Sequence, residues 1–183
     1  MKINWRYRII NALRIPWLRG YLATQLAKLV SVAGFLAGYS ELSAVKINKD
    51  GSCEDLGVLG RRVITTVFVN FVVDQLQTET AVFGDFKYHD SGVGTTNENI
   101  TDTGIETTDG ESRVIGTQTE SAANVYESVA TITYTTTKAI TEHCLFNDPT
   151  AGTLMDRTEF AIVNVVNGES IRFTYTLTLT AGS

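Results

Sequence analysis

The last strand-like segment of the chain constrains its fold most strongly. In SIRFTYTLTLT (170–180), five apolar side chains alternate with one arginine and four threonines. Successive side chains of a β-strand point to opposite faces, so this period of two gives one apolar face and one polar face. The segment therefore predicts a half-buried antiparallel strand whose threonine row faces water or a neighbouring subunit.

The same alternation recurs upstream, in NVYESVATITY (124–134). Residues 78–183 are also rich in threonine, which suits pleated strands better than helix interiors. Turn sequences such as NDPTAG and NG separate segments spaced by about ten residues. This pattern predicts a mainly β protein whose body is an antiparallel β-sandwich or a barrel-like fold.

Two elements are expected before these strands. SAVKINKDGSCEDLGVLG (43–60) predicts a hairpin, because Asp50-Gly51 is a turn dipeptide that tolerates positive φ. TTVFVNFVVDQLQ (65–77) predicts the one helix of the body, capped by a threonine. The expected apolar face consists of Val69, Val72, Val73 and Leu76. A buried strand is the alternative for 65–77, since six of its residues are β-branched.

Charge is divided sharply along the chain. Residues 1–40 contain six basic residues and no acid, whereas the remainder has nine basic and twenty acidic residues. This asymmetry indicates an N-terminal arm that binds something acidic, such as the rest of the same molecule or a neighbouring copy. The partner-binding residues expected in the arm are Arg6, Arg8, Arg14, Trp17, Arg19, Leu22, Leu26 and Leu29.

The three leucines of this arm belong to the apolar face of a predicted amphipathic helix. The basic part is too long for a signal peptide, and Gln25 and Lys28 interrupt the apolar run that a spanning helix would need. We therefore predict a basic N-terminal helical arm over 1–42 and a β-rich body over 43–183. A membrane anchor or secretory signal within 20–40 is the alternative.

Glu142, His143 and Cys144 form an acid–histidine–thiol sequence that could suggest catalysis. A Cys–His dyad needs both side chains within hydrogen-bond reach. In a strand, however, His143 points to the face opposite both of its neighbours. We therefore expect no catalytic residue here, and we expect two unpaired thiols rather than a disulfide framework.

No metal or cofactor site is expected either. His89 and His143 would need a third ligand to hold a metal, and the sequence has none at zinc-like spacing. SGVGTT (91–96) resembles a phosphate-binding loop superficially, but it lacks the lysine of a P-loop and the helix that follows one. The sequence therefore predicts a protein that is not an enzyme.

Two further features concern architecture. The polar segment 91–112 is long enough to indicate an exposed functional loop. Asp156 and Arg157, which follow the expected turn at 147–152, are interpreted as a structural pair in which the arginine binds a carboxylate from a neighbouring strand or subunit. A solvated charge is the alternative for Arg157.

Five segments of the chain are informative as a set because of their order. The segments are DGSCEDLGVLGRRVITT (50–66), FVVDQLQTE (71–79), FKYHDSGVGTTNENITDT (86–103), GTQTESAANVYESVATITY (116–134) and ITEHCLFNDPTAGTLMDRTEFAIVNVVNGESIRFTYTLTLTAG (140–182). This order resembles a family of small virion structural proteins of tailed bacteriophages, which runs from a DLG-type hairpin through a KxHxxGxGTT strand and loop to a terminal ITExxLF…LxDRxxF…NGxxIxFTYxLT sheet. The resemblance covers roughly residues 45–182, departs at Cys144, where glycine is expected, and excludes the basic arm.

The resemblance implies a virion component that is assembled in the host cytoplasm and carries no enzymatic residues. Our leading hypothesis is a capsid decoration (cement) protein, a homotrimer that binds the major capsid protein or other virion proteins and spans neighbouring subunits with its arm. Binding to nucleic acid or to a membrane is not expected. The alternatives are a tail, neck or fibre-adaptor protein and a membrane-anchored or secreted β domain.

Overall fold

The computed structural model describes residues 37–61, 63–77 and 85–180. Within these ranges it has one helix and ten strands. In chain order they are β1 (Ala37–Ile47), β2 (Cys53–Gly60), β3 (Val63–Ile64), α1 (Thr66–Gln77), β4 (Tyr88–Gly92), β5 (Val114–Ile115), β6 (Thr117–Ala122), β7 (Val125–Thr133), β8 (Lys138–Phe146), β9 (Leu154–Val165) and β10 (Ser170–Thr180).

The strands form two antiparallel sheets of five strands each, which confirms the mainly β class. Sheet A has the order β2-β1-β10-β7-β6, and sheet B has the order β3-β9-β8-β4-β5. Residues Tyr39–Thr178 form one compact unit, and β1 already begins at Ala37, before the body boundary expected at residue 43. The predicted arm helix and its eight partner-binding residues lie outside the described residues.

Both sheets contribute side chains to one hydrophobic core. It includes Leu42 and Phe173 from sheet A and Ile140 and Phe160 from sheet B. The alternation predicted for β10 is confirmed as far as residue 177, whereas Leu179 at the strand end is 41% exposed. The periodicity of two therefore identified the buried face of this strand correctly along most of its length.

The predicted hairpin is confirmed as β1 and β2. Asn48 and Ser52 close its turn through a backbone hydrogen bond, and Gly51 has a φ of +81°. This left-handed conformation costs glycine little, because it has no Cβ. The Asp50-Gly51 signal therefore located the turn correctly.

The helix is confirmed, but the expected apolar face is wrong in three of its four members. Thr65 caps the helix, because its hydroxyl accepts a hydrogen bond from the amide of Phe68 at 3.3 Å. The side that packs on the core consists of Phe68, Phe71 and Val72. The other members of the predicted face are exposed, with Val69 at 50%, Val73 at 51% and Leu76 at 78%.

Candidate functional site

Three buried polar side chains form a hydrogen-bonded chain between the sheets. His89 Nδ1 in β4 lies 2.9 Å from His143 Nε2 in β8, and His89 Nε2 lies 2.8 Å from the Oγ of Ser128 in β7. The ring of His143 also packs against Phe173, with 4.7 Å between ring centroids. Since Ser128 belongs to sheet A and both histidines belong to sheet B, this chain links the two sheets.

Burial keeps both imidazoles neutral. It lowers the pKa of His89 to about 3 and holds the pKa of His143 well below its ordinary value. A positive charge on His89 would lower the pKa of His143 further. Within the described part of the chain, His143 Nδ1 has no hydrogen-bond partner. A buried ring nitrogen that lacks a hydrogen-bond donor costs less folding free energy than a buried N–H that lacks an acceptor. Buried N–H groups without a partner are the rarer case in folded proteins.

This difference sets the direction of the hydrogen bonds. It favours the tautomer in which His143 carries its proton on Nε2 and donates to His89 Nδ1; His89 then carries its own proton on Nε2 and donates to Ser128. A histidine that activates a serine nucleophile must instead accept the serine proton. In this tautomer the hydrogen bonds run from His143 through His89 to Ser128, as in a structural link. All three side chains are also fully buried.

Glycine at position 116 allows the backbone to approach this chain closely. A Cβ added to Gly116 would lie 2.6 Å from Ser128 Oγ and 2.7 Å from His89 Nε2. We expect Gly116→Ala to lower the free energy of unfolding by about 1–3 kcal/mol, because neither side chain can move without breaking the hydrogen-bonded chain. Urea denaturation measures this loss.

Gly104→Ala is the matched control for that substitution, because a Cβ at Gly104 meets no atom within 4 Å. We expect the control to change stability by no more than about 0.5 kcal/mol. Equal effects of the two alanines would contradict the packing that we describe around Gly116.

A second polar link joins the sheets at Asp156 in β9. Ser40 of β1 donates a hydrogen bond to Asp156 Oδ2 at 2.9 Å, and Thr158 donates to Oδ1 at 2.8 Å. Burial raises the pKa of Asp156 to about 7, although the two hydroxyl donors act in the opposite direction. This carboxyl group therefore changes its protonation near neutral pH within the folded protein.

The outer face of sheet B carries a buried ionic cluster around Arg157. This residue lies opposite Cys144 in the β8–β9 register, so its side chain reaches diagonally to Glu142 on the same face. Arg157 Nε donates to Glu142 Oε2 at 2.8 Å, and its two terminal nitrogens donate to Asp102 at 2.9 Å and Glu106 at 3.0 Å. One guanidinium therefore holds carboxylates from β8 and from the loop between β4 and β5.

Glu142 attaches the same loop through its backbone. The carboxylate, which is fully buried, accepts hydrogen bonds from the amides of Gly94, Glu106 and Thr107 at 2.9–3.1 Å. Together with the bond from Arg157, Glu142 accepts four hydrogen bonds. The loop predicted at 91–112 is thus anchored on both sides of its middle, although many of its side chains are exposed.

The glycines of SGVGTT make room for this carboxylate. A Cβ at Gly92 would lie 2.6 Å from Glu142 Oε1, and a Cβ at Gly94 would lie 2.4 Å from the same atom. Thr141 also donates a hydrogen bond to the carbonyl of Gly94 at 2.6 Å. The apparent phosphate loop therefore encloses a carboxylate of the same chain.

Arg113 and Lys138 hold the C-terminal part of the loop. Arg113 donates to Asp90 Oδ2 at 3.1 Å and to the carbonyls of Asp148 and Ala151 in the β8–β9 turn. Lys138 Nζ lies 2.6 Å from the carboxylate of Glu111. The loop is consequently fixed to three separate parts of the body.

Glu142, His143 and Cys144 point alternately to the two faces of β8, as expected. Glu142 faces the loop, Cys144 packs with Phe146 on the same outer side, and His143 faces the other sheet. Cys144 is buried, which raises the pKa of its thiol, whereas Cys53 is exposed. Both cysteines are free, as the sequence predicted.

Asp156 and Arg157 are adjacent in sequence but face opposite sides of sheet B. Arg157 binds the carboxylate of a neighbouring strand, whereas Asp156 binds Ser40 and Thr158. The two residues therefore do not pair with each other. Each instead joins β9 to a different part of the structure.

Sequence reasoning did not identify the direct contact between His89 and His143, or the role of Glu142 as the centre of the loop. One usable signal was present: Gly92, Gly94 and Gly116 lie in strand-like or loop segments next to these residues. Isolated glycines in such positions indicate a close approach of backbone to another group.

A cavity of about 310 Å³ lies beside α1, away from the histidines. Its lining residues are Val67, Asn70, Phe71, Asp74, Thr103, Gly152, Thr153 and Leu154.

Among the described residues, no group of three or more His, Cys, Asp or Glu side chains is arranged to hold a metal ion. The helix α1 is also too short to cross a membrane, and the described ranges contain no longer apolar helix.

Comparison with protein-family models, with curated proteins and with solved structures found no match for this chain.

Proposed function

We propose that this protein is a structural component of a tailed-bacteriophage virion, and specifically a capsid decoration (cement) protein. In this proposal the two sheets pack as a β-sandwich body, copies associate with one another as a trimer, and the basic arm binds neighbouring subunits on the capsid surface. Assembly takes place in the host cytoplasm. No catalytic step is part of the proposed role.

The observation that carries the proposal is the use of the buried ionisable side chains. Glu142 and Arg157 fix the long loop to sheet B, Asp156 links β9 to β1, and the two histidines link sheet B to Ser128. Each of these groups forms hydrogen bonds within the body instead of facing a site open to substrate. Such links favour a rigid module that resists deformation, which suits a protein that reinforces a shell.

The charge division supports association between copies. The segment 1–40 carries a net charge of about +6 and the remainder about −11, by the residue counts of the sequence. Opposite charges on arm and body favour contacts between neighbouring molecules, and several weak contacts per molecule add up by multivalency. The resemblance over residues 45–182 supports the virion location.

Neutralising the arm tests this proposal in the full-length chain. We expect the fourfold arginine-to-glutamine variant to bind capsids that lack the protein about 10- to 100-fold more weakly, because each lost charge contact contributes up to about 1 kcal/mol. Cosedimentation with capsids measures the change. The substituted residues are Arg6, Arg8, Arg14 and Arg19.

The control removes the same number of charges from the body, and we expect it to bind with unchanged affinity. Undiminished binding of the arm variant would contradict the proposed role of the arm. The control residues are Lys49, Arg61, Lys87 and Arg172.

Copy number separates this proposal from a tail, neck or fibre-adaptor role. A decoration protein covers the whole capsid lattice, so quantitative mass spectrometry of purified particles should find it in numbers comparable to the major capsid protein. A tail or neck component forms one or a few rings, so a much smaller number would favour that alternative.

A further inference from the structure

Strand β6 is an exposed edge of sheet A. It lies at the end of the strand order, next to β7, and all six of its residues are exposed on both faces. Among the described residues, no strand pairs with its outer side. An edge of this kind presents backbone N–H and C=O groups that can pair with an added strand.

The other edges are less suited to accept a strand. Strand β2 has two register irregularities against β1, and Gly57 within it has a φ of +64°. Such irregularities twist an edge and hinder pairing. The edges of sheet B, β3 and β5, have only two residues each. Strand β6 has one register irregularity against β7, between Glu120 and Ala122, and its paired stretch Thr117–Glu120 is regular. Among the described edge strands of more than two residues, β6 is therefore the more regular.

The N-terminus contains a segment with the pattern of a strand. In KINWRYRI (2–9), Ile3, Trp5, Tyr7 and Ile9 alternate strictly with Lys2, Asn4, Arg6 and Arg8. Isoleucine, tryptophan and tyrosine are among the residues most enriched in strands. This segment therefore has one apolar row and one row that is basic except for Asn4.

Charge complements this pattern at the β6 edge. Glu120 lies in β6 itself, and Glu127 lies in β7 opposite Thr119. Thr119 and Glu120 are consecutive, so the two glutamates belong to opposite faces of the sheet. A strand added to β6 would therefore have a carboxylate on either face of the sheet, from Glu120 on the adjacent strand or from Glu127 one strand further away.

We propose that residues 2–9 of a neighbouring copy add to β6 as a further antiparallel strand of sheet A. This inference rests on the proposed function in one respect, namely that the donor is another copy. It adds to that function the surface of the body that receives the arm, namely β6. It also divides the arm into a strand-forming part, 2–9, and a predicted helix beyond Pro16. The backbone of the donor would then pair with the exposed edge, and its apolar and basic rows would lie on opposite faces of sheet A.

A charge exchange in the full-length protein tests the pairing. We expect Glu120→Lys/Glu127→Lys to weaken self-association at least tenfold, and Arg6→Glu/Arg8→Glu to do the same, because each places like charges across the contact. Combining all four substitutions should restore association to within about threefold of the wild type. Analytical ultracentrifugation measures the association constants.

The matched control is Glu54→Lys/Asp55→Lys, which makes the same charge change on the β2 edge and should leave association unchanged. Failure of the combined variant to recover would overturn the pairing, as would a wild-type chain that does not self-associate. If association persists in the β6 variant but is lost in the arm variant, the arm binds another surface. The assignment to β6 would then fail while the proposed function stands.

Cross-linking identifies the donor chain. A photo-reactive phenylalanine analogue in place of Gln118, in a mixture of ¹⁴N- and ¹⁵N-labelled copies, should yield mixed-isotope cross-links to the peptide that contains residues 2–9. Cross-links of a single isotope only would show pairing within one chain and overturn the exchange between copies. Cross-links confined to other peptides would overturn the assignment altogether.

Discussion

Arg157→Met is expected to lower the free energy of unfolding by about 3–5 kcal/mol, the cost of leaving a buried charge without its counter-ion. Glu142 is fully buried and would keep its three amide donors while losing the guanidinium. The same substitution frees Asp102 and Glu106, so the amides of Asn99 and Thr96, which donate to these two carboxylates, should lose exchange protection. Denaturant titration and hydrogen exchange measure the two effects.

Two further variants make this prediction specific to the ionic cluster. Arg172→Met removes an exposed arginine from β10 and should change stability by no more than about 0.5 kcal/mol. Glu142→Gln combined with Arg157→Met should cost less than the sum of the single substitutions, because the pair is coupled. A loss below 1 kcal/mol for Arg157→Met, or additive effects, would contradict the cluster as the anchor of the loop.

Mild acid is expected to destabilise the protein through its two histidines. The folded-state pKa of His89 is lowered to about 3, and that of His143 lies well below its ordinary value near 6.5. A group whose pKa is lowered on folding stabilises the protein above its unfolded pKa, and this stabilisation is lost as pH falls. The neutral imidazole of His89 therefore costs about 1.4 kcal/mol of stability per pH unit below 6.5, or about 3 kcal/mol at about pH 4.5, and His143 adds a loss in the same direction.

Asp156 acts in the opposite direction. Its folded-state pKa is raised to about 7 from an ordinary value of 3.8, so its contribution is fully present below 3.8 and lost as pH rises to about 7. Between pH 6.5 and about 4.5 it offsets the loss from one imidazole, so the other imidazole leaves a net decrease in stability. Asp156→Asn should remove this offset and make the acid dependence steeper.

Urea denaturation across this pH range measures the slope, and NMR tests its cause. The chain has only two histidines, so every imidazole signal belongs to His89 or His143. We expect neither ring to titrate in the folded protein between pH 8 and about 5. Titration of either ring near pH 6.5 without unfolding would contradict the buried, neutral pair.

Local features of the sequence were sufficient for several elements of the fold, although they missed β5, β6 and the start of β1. The alternation of apolar and polar residues located β7 and β10, Asp50-Gly51 located the first hairpin, and a threonine before an apolar run located the start of α1. These signals depend only on residues close in sequence. For the same reason, strand alternation correctly placed His143 on the face opposite Glu142 and Cys144.

The face of α1 shows where local information ends. Its first half is apolar on nearly every side, so spacing alone could not distinguish Val69 and Val73 from Phe68 and Phe71. The structure buries the phenylalanine side, where Phe68 and Phe71 meet the ring of Phe86 edge-on at centroid distances of 5.0 and 5.3 Å. Burying two aromatic rings against a third stabilises the fold more than burying valines on the opposite side.

The sequence by itself determined the first hairpin, the strands β7 and β10, and which of their side chains share a face, because these properties follow from backbone geometry over a few residues. Only the tertiary structure decided which faces meet. His89 and His143 are 54 positions apart, and they touch because β4 pairs with β8 in one register. Glu142 became a buried anchor because the loop folds back over sheet B and directs three amides at it. Such contacts depend on sheet order and register, which no periodicity within one segment specifies.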